Sequence, residues 1–293
     1  RSLRSRQSGI LDGACRRMGS IKTWQWGQRG RGMTTQRPRF PLQLDKVTPA
    51  KRPGTIVPSV VLMSNTARQP AASKLVTPQI VDSRARRADM VAKLKAQGMS
   101  DAIVLEAMGT VERHRFVDSG LAAQAYEDTS LPIGLGQTIS KPNVVGRMLE
   151  LLRSGRSGKL GRVLEIGTGC GYQAAVLSHM ASEVYSVERL RGLHDRAREN
   201  LRDFRLPNLH LILGDGMLGF PKGAPYTAIV SAAGGEAIPQ AWIEQLAVGG
   251  RIVAPTVTAS GKQALVVLDK TETGIRQNVL EAVHFVPLKS GLA

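Results

Sequence analysis

Apolar positions change their spacing twice along the chain. From residue 1 to about 80 they follow neither the helical nor the strand period. A helical period begins near Asp82: Ala88, Val91, Ala92 and Leu94 share one face of Ala85 to Gln97, and Gly98 supplies a C-terminal stop. Ser100-Asp101 predicts the cap of a second helix reaching Met108, and Arg113 to Val117 a short connector. Leu131 to Ser140, LPIGLGQTIS, reads as a glycine-rich loop. Pro142 then suits a first helical turn, with the apolar period carried by Val144 to Leu152.

From Arg162 the pattern becomes strands alternating with helices. Expected strands are Arg162 to Ile166, Glu183 to Val187, Leu209 to Leu213 and Ala228 to Ala232, with helices over Tyr172 to Met180, Leu190 to Phe204 and Ile238 to Leu246. Gly249-Gly250 ends the last helix; strands over Arg251 to Val257, Ala264 to Asp269 and Ala282 to Val286 follow without intervening helices. Alternation of this kind predicts an α/β fold: a doubly wound, mostly parallel sheet covered on both faces, with antiparallel edge strands and an N-terminal helical cap.

Charge alters the picture only once it is divided. The formal net charge is +17 over 293 residues, but residues 1–84 carry +13 of it and residues 85–293 only +4. The first 80 residues, rich in Arg, Ser, Gly, Pro and Gln, cannot bury enough apolar surface to offset chain entropy, and read as a disordered basic extension. A solvated tail is the leading reading. A basic arm that touches an anionic surface, or an Arg-rich targeting segment without a visible cleavage signal, are the alternatives. Met33 and Met63 are candidate starts. The remainder, 81–293, is read as one domain with its cap over 81–158.

Other features exclude classes. The longest apolar runs fall far short of the roughly 18 residues of a bilayer-spanning helix. Cys15 and Cys170 cannot form a disulfide scaffold or a four-cysteine zinc site, and read as free thiols of a reducing, cytoplasmic compartment. His114, His179, His194, His210 and His284 lack metal-ligand spacing, so no metal is expected. Trp24 and Trp26 have no aromatic neighbours to form a stacking platform, and nucleic acid is not an expected partner.

The candidate chemistry lies in VLEIGTGCGYQ, Val163 to Gln173. A strand runs into Gly167, Gly169 and Gly171, and a helix opens behind them. Tyr172 stands where a dinucleotide fingerprint needs its last glycine. Glu165 precedes the turn, Glu188 ends the next strand, 17 residues after Gly171, and Asp215 ends the third. A carboxylate at Glu188 can accept both ribose hydroxyls. Acids at the tips of successive strands around a glycine turn, without a phosphate-binding Lys, suit a cationic nucleoside such as S-adenosyl-L-methionine. A nicotinamide dinucleotide is the rival ligand.

With these segments in view, residues from about 85 to 289, about seven-tenths of the chain, resemble the protein-L-isoaspartate (D-aspartate) O-methyltransferase family. The resemblance rests on LPIGLGQTISKP (Leu131 to Pro142), VLEIGTGCGYQAAVL (Val163 to Leu177), VYSVER (Val184 to Arg189), GDG (Gly214 to Gly216), APYTAIV (Ala224 to Val230), QLAVGGRIVAP (Gln245 to Pro255) and HFVPL (His284 to Leu288). The glycine motif is common to many methyltransferases; the GQTIS segment is the specific part.

The resemblance implies an enzyme that methylates the free carboxylate of L-isoaspartyl residues in damaged proteins and peptides. The ester then collapses to a succinimide that hydrolyses partly to normal aspartate. It implies Ser140 as the active-site residue, with Thr138 and Ile139 beside it lining the cleft, and Glu165, Gly167, Glu188, Asp215 and Gly216 as cofactor-binding positions, beside Gly169 and Gly171 of the turn. A helix cap is the competing role for Ser140. Where the family often has Ala-Ala-Ala-Pro, this chain reads Ala232-Ala233-Gly234-Gly235, and Lys141 and Asn143 flank Pro142 where members vary. A monomer is expected. Two rivals stand beside this reading: a methyltransferase of the same fold acting on RNA or a small molecule, and a non-catalytic module whose basic arm is the functional part.

Overall fold

A computed structural model describes residues 83–293; the expectations for the first 80 residues and for Asp82 lie outside the described residues. The described chain opens with α1 (Ser83–Ala96) and α2 (Ala102–Thr110). Asp101 is the N-cap of α2: its Oδ1 accepts from the N–H groups of Ile103 and Val104, at 3.0 and 3.1 Å. Two short 3₁₀ helices, Arg113–Phe116 and Ser119–Gln124, lead to a two-stranded antiparallel ribbon, β1 (Leu131–Gly134) and β2 (Gln137–Ile139). The stretch expected as a loop is therefore a hairpin. Its bend places Leu135 at φ 52 between Gly134 and Gly136, both also at positive φ.

Helix α3 (Pro142–Arg153) begins with Pro142 in its first turn, as the spacing predicts, and packs Val145, Met148, Leu149 and Leu152 inward. Its N-cap is Lys141, not Ser140, and no side chain caps it. The competing role of Ser140 as a helix cap is thus corrected: the chain turns into the helix one residue later.

Alternation then builds the main sheet: β3 (Leu160–Ile166), α4 (Tyr172–Met180), β4 (Ala181–Glu188), α5 (Arg191–Leu201), β5 (Leu209–Leu213), β6 (Tyr226–Ser231), α6 (Gln240–Gln245), β7 (Leu246–Val257), β8 (Gln263–Thr271) and β9 (Gly274–Ala282). The seven strands lie in the order β5-β4-β3-β6-β7-β8-β9. Pairs from β5 through β7 are parallel, whereas β7–β8 and β8–β9 are antiparallel. The expected doubly wound sheet with an antiparallel edge is the observed one. Strand order reverses at β3, between β4 and β6, so a crevice opens at the carboxyl ends of these strands, the general place for a ligand in such sheets.

One apolar core joins the cap helices to α3, α4 and one face of the sheet, through Leu94, Val104, Met108, Met148, Leu149 and Leu177 among others. A second, around Tyr226, Ile229, Trp242 and Ile252, fills the opposite face. Boundaries differ in three places. Helix α5 stops at Leu201 and tightens into a single turn over Arg202–Phe204, because Arg205 then adopts a left-handed conformation at φ 51. Helix α6 is confined between Pro239 and Leu246, and β7 starts before the glycine pair that was expected to end the helix. The last strand is β9 rather than Ala282 to Val286. Residues of β9 are exposed along almost its whole length, so GIRQNVLEA carries no alternation to read.

Candidate functional site

The carboxyl ends of β3 and β4 form the floor of a cavity of about 400 Å³. Strand β3 enters the turn through Gly167 at φ 88, Gly169 at φ 57 and Gly171 at φ 94, a path only glycine follows without strain. Gly167 N–H donates to Val187 O at 2.8 Å, which locks the turn to β4. At the end of β4, Glu188 is 5% exposed. Its Oε2 accepts from Gly169 N–H and its Oε1 from Leu190 N–H, each at 2.9 Å. One carboxylate thus fixes both the glycine turn and the entry to α5. Each oxygen keeps further acceptor capacity, and Glu188 lines the cavity, so the carboxylate can receive two ribose hydroxyls.

Thr138, Gly167, Gly169, Glu188 and Gly216 line this cavity together. The other residues expected to bind cofactor do not. Ile139 is 5% exposed and belongs to the apolar core, because alternation along β2 turns Thr138 out and Ile139 in. At Gly171 a Cβ would lie 2.7 Å from Leu201 Cδ1 and 3.4 Å from Ala197 Cβ, so this glycine lets α5 approach α4. Asp215 caps the turn after β5, its Oδ1 accepting from Met217 N–H at 2.8 Å and its Oδ2 from Gly291 N–H at 2.7 Å.

Glu165 is fully buried beneath the turn. Its Oε2 accepts from Ser186 Oγ, which is 2.6 Å from Thr168 Oγ1. Oε1 has no hydrogen-bond partner. Burial pushes its pKa up to about 8; Ser186 and the neighbouring Gln173 amide pull it down, and Glu188 pushes it further up. Near neutral pH the protonated form predominates. Glu165 is a structural member of the turn, not an acid facing the cavity. Burial likewise pushes the Cys170 thiol up to about 11, which keeps it in the unreactive thiol form.

A second cavity of about 880 Å³ adjoins the first, the two sharing Thr138, Ala232, Val286 and Pro287 in their walls. Ser140 lines this second cavity, at the end of the hairpin, with Lys141, Arg147 and His284. Among the described residues the Ser140 hydroxyl makes no hydrogen bond, while its carbonyl oxygen accepts from Arg113 Nη2 at 2.7 Å. Two contributors escaped the sequence reading. Leu135, 63% exposed, overhangs the first cavity. The tail Val286 to Lys289 closes its side, held by Gly234 N–H to Val286 O and Leu288 N–H to Gly234 O, both 2.8 Å. The HFVPL match marked that segment without giving it a position. Arg189 and Lys289 also line the cavity, beside strand tips whose spacing predicts no phosphate-binding Lys. Among the described residues no group of three or more His, Cys, Asp or Glu can hold a metal ion, and no helix is long and apolar enough to cross a membrane.

A parallel sheet that reverses at β3, a glycine turn and an acid-tipped neighbouring strand define the class: this is a Rossmann-like methyltransferase fold with an added helical cap. Within that class, a family model described as protein-L-isoaspartate(D-aspartate) O-methyltransferase (PCMT) matches residues 85–293, and the chain belongs to that family. It is 55% identical over 269 residues to a protein-L-isoaspartate O-methyltransferase of Leptothrix cholodnii, covering 87% of this chain and 95% of that protein. To one of Ralstonia nicotianae it is 52% identical, over 81% and 77% of the two chains.

A solved protein-L-isoaspartate O-methyltransferase superposes with a TM-score of 0.64 at 29% identity, over 70% of this chain and 67% of that one. A putative enzyme of the same name from Plasmodium falciparum, solved in complex with S-adenosyl-L-homocysteine, shares the fold. Its TM-score is 0.60 at 23% identity, over 69% of this chain and 98% of that one.

Proposed function

We infer that the chain methylates the free carboxylate of L-isoaspartyl residues in damaged proteins and peptides, with S-adenosyl-L-methionine as methyl donor. The observation that carries this reading is the junction of two cavities at Thr138, in a chain of this family: a nucleoside-sized site floored by Gly169 and Glu188, and a wider cleft at Ser140. The donor fits the first. Backbone without side chains at Gly167 and Gly169 admits close approach, and Glu188 offers two partly free oxygens to a ribose. When bound, S-adenosyl-L-methionine supplies a methyl group activated by its positive sulfur.

The residues of the chain then have simple duties. An isoaspartyl carboxylate is already ionised at neutral pH, since its ordinary pKa is about 4, and no strong base is needed. Ser140, its hydroxyl free in the second cavity, donates a hydrogen bond that orients one carboxylate oxygen toward the shared opening. Thr138 and Pro287 line that opening, and Leu135 and the tail restrict water. The methyl ester then collapses to a succinimide, which hydrolyses partly to aspartate. We take 81–293, with its cap over 81–158, as the working unit, and propose that it acts as a monomer in the cytoplasm.

Two measurements test the site. Calorimetry with S-adenosylhomocysteine should give saturable heat, and an equal titration with a nicotinamide dinucleotide none; the reverse pattern would end the reading. Ser140→Ala should lower turnover on an isoaspartyl peptide by about 10-fold or more while cofactor affinity stays within about threefold. Unchanged turnover would remove Ser140 from the chemistry.

A further inference from the structure

Cap, hairpin and glycine turn meet at one side chain to which the chemistry above gives no duty. Arg113 lies in the single turn between α2 and the hairpin and is fully buried. Its Nε donates to Ala125 O and its Nη2 to Ser140 O, each at 2.7 Å. Its guanidinium carbon stands 4.7 Å over the ring of Tyr172, the first residue of α4 after Gly171. Among the described residues no carboxylate forms an ion pair with it, and neither its Nη1 nor the Tyr172 hydroxyl has a hydrogen-bond partner. Burial lowers its pKa from the ordinary arginine value, opposed chiefly by Tyr172.

A buried guanidinium without a counter-ion is costly, and a neutral side chain could brace two carbonyls. What the guanidinium adds is a rigid planar fork: one edge grips the carbonyl of Ser140 while the face rests on the residue that follows the glycine turn. The two halves of the reaction site, the hydroxyl beside the second cavity and the turn that floors the first, are thereby set at a fixed separation. Methyl transfer depends on such a separation, since a misplacement of about 1 Å can cost about 100-fold in rate.

We propose that Arg113 is a positioning residue for methyl transfer, holding the Ser140 peptide in register with the glycine turn. The proposal rests on the reading of Ser140 as the residue that faces the substrate carboxylate.

The test uses the full chain as wild type, Arg113→Met, Arg113→Lys, Ser140→Ala and the double variant Arg113→Lys/Ser140→Ala. Each is measured for unfolding temperature, S-adenosylhomocysteine affinity, and kcat and KM on an isoaspartyl peptide. Arg113→Met should lose about 10-fold in kcat, no more than Ser140→Ala, with affinity for S-adenosylhomocysteine within about threefold of wild type. Arg113→Lys keeps the charge but not the fork, should lose kcat by an intermediate factor, and decides the matter if Arg113→Met does not fold. In the Ser140→Ala background, Arg113→Lys should cost less than about threefold more, because the arginine acts through that residue.

A folded Arg113 variant with kcat within about threefold of wild type would overturn the proposal, as would kcat and cofactor affinity falling by one common factor. Turnover lost in Ser140→Ala but not in the Arg113 variants overturns the proposal alone. Turnover unaffected by Ser140→Ala overturns the reading of Ser140 and the proposal with it.

Discussion

Replacing Glu188 by Gln keeps the shape of the side chain and removes its charge. In the free protein Oε2 accepts from Gly169 N–H and Oε1 from Leu190 N–H, both at 2.9 Å, and the group is 5% exposed. An amide retains one acceptor and turns a donor toward the other N–H. One charge-assisted hydrogen bond is lost and a buried donor left unpaired, which costs about 1.5–3 kcal/mol of folding stability. The same change acts on the ribose, where one hydroxyl loses its acceptor and the other meets a neutral one. The expected loss of cofactor binding is about 2–4 kcal/mol, roughly 30- to 700-fold in Kd.

The assay is calorimetry of S-adenosylhomocysteine binding, at a temperature where both proteins are folded, with urea unfolding alongside. A 2′-deoxyribose analogue sharpens it: the missing hydroxyl should weaken binding to wild type markedly and to Glu188→Gln much less. A variant with the expected stability loss but a Kd within about threefold of wild type would refute the reasoning, since Glu188 would then hold only the turn.

Three further outcomes follow from the geometry. Gly171→Ala forces a side chain into a left-handed backbone at φ 94, with Leu201 Cδ1 2.7 Å from the new Cβ; the expected destabilisation is about 2–5 kcal/mol in urea unfolding, and cofactor affinity of the folded fraction should not change. Glu165 has a folded pKa raised to about 8 from 4.5, so its contribution to stability is complete below pH 4.5 and is lost as pH rises toward 8. Glu165→Gln lacks this loss, and its unfolding temperature should rise relative to wild type between pH 5 and 8; a constant difference would contradict the burial argument. Asp101→Ala removes the cap of α2 and the partner of Arg153, a residue 3% exposed whose Nε lies 2.9 Å from Asp101 Oδ2, and should cost about 2–4 kcal/mol by thermal or urea unfolding.

The parts of this structure that the sequence disclosed are those where one physical requirement dominates. Apolar runs bounded by glycines marked the central strands, and an acid at the tip of β4 could be placed beside the turn because βα units fix that geometry. The failures share a different cause. The hairpin at Leu131–Ile139 was hidden because glycines that permit a tight bend look the same as glycines of an open loop. Strand β9 exposes nearly all its side chains, so its membership in the sheet depends on backbone pairing with β8, which leaves no hydropathic trace.

Glu165 and Asp215 stand at strand ends like Glu188, yet neither lines the cavity. Glu165 lies in a central strand covered on both faces, where spacing alone does not show which face meets the ligand; Asp215 follows the edge strand β5, and its carboxylate is taken up by the N–H groups of Met217 and Gly291. Leu135, Lys289 and the tail reach the site only through tertiary folding, and Arg113 read as connector because a single-turn helix has no period. The capping role weighed for Ser140 was a sound local inference overruled by where the backbone turns into α3.

The central claim is that a sulfonium-borne methyl group and an isoaspartyl carboxylate meet at the opening between the two cavities. Its most direct test is labelled methyl transfer to two peptides that differ only in one residue, L-isoaspartate in the first and L-aspartate in the second. Stoichiometric, base-labile label on the isoaspartyl peptide, with at most trace label on its partner, is the predicted result. Equal labelling of both peptides, or label on neither while S-adenosylhomocysteine still binds, would contradict it.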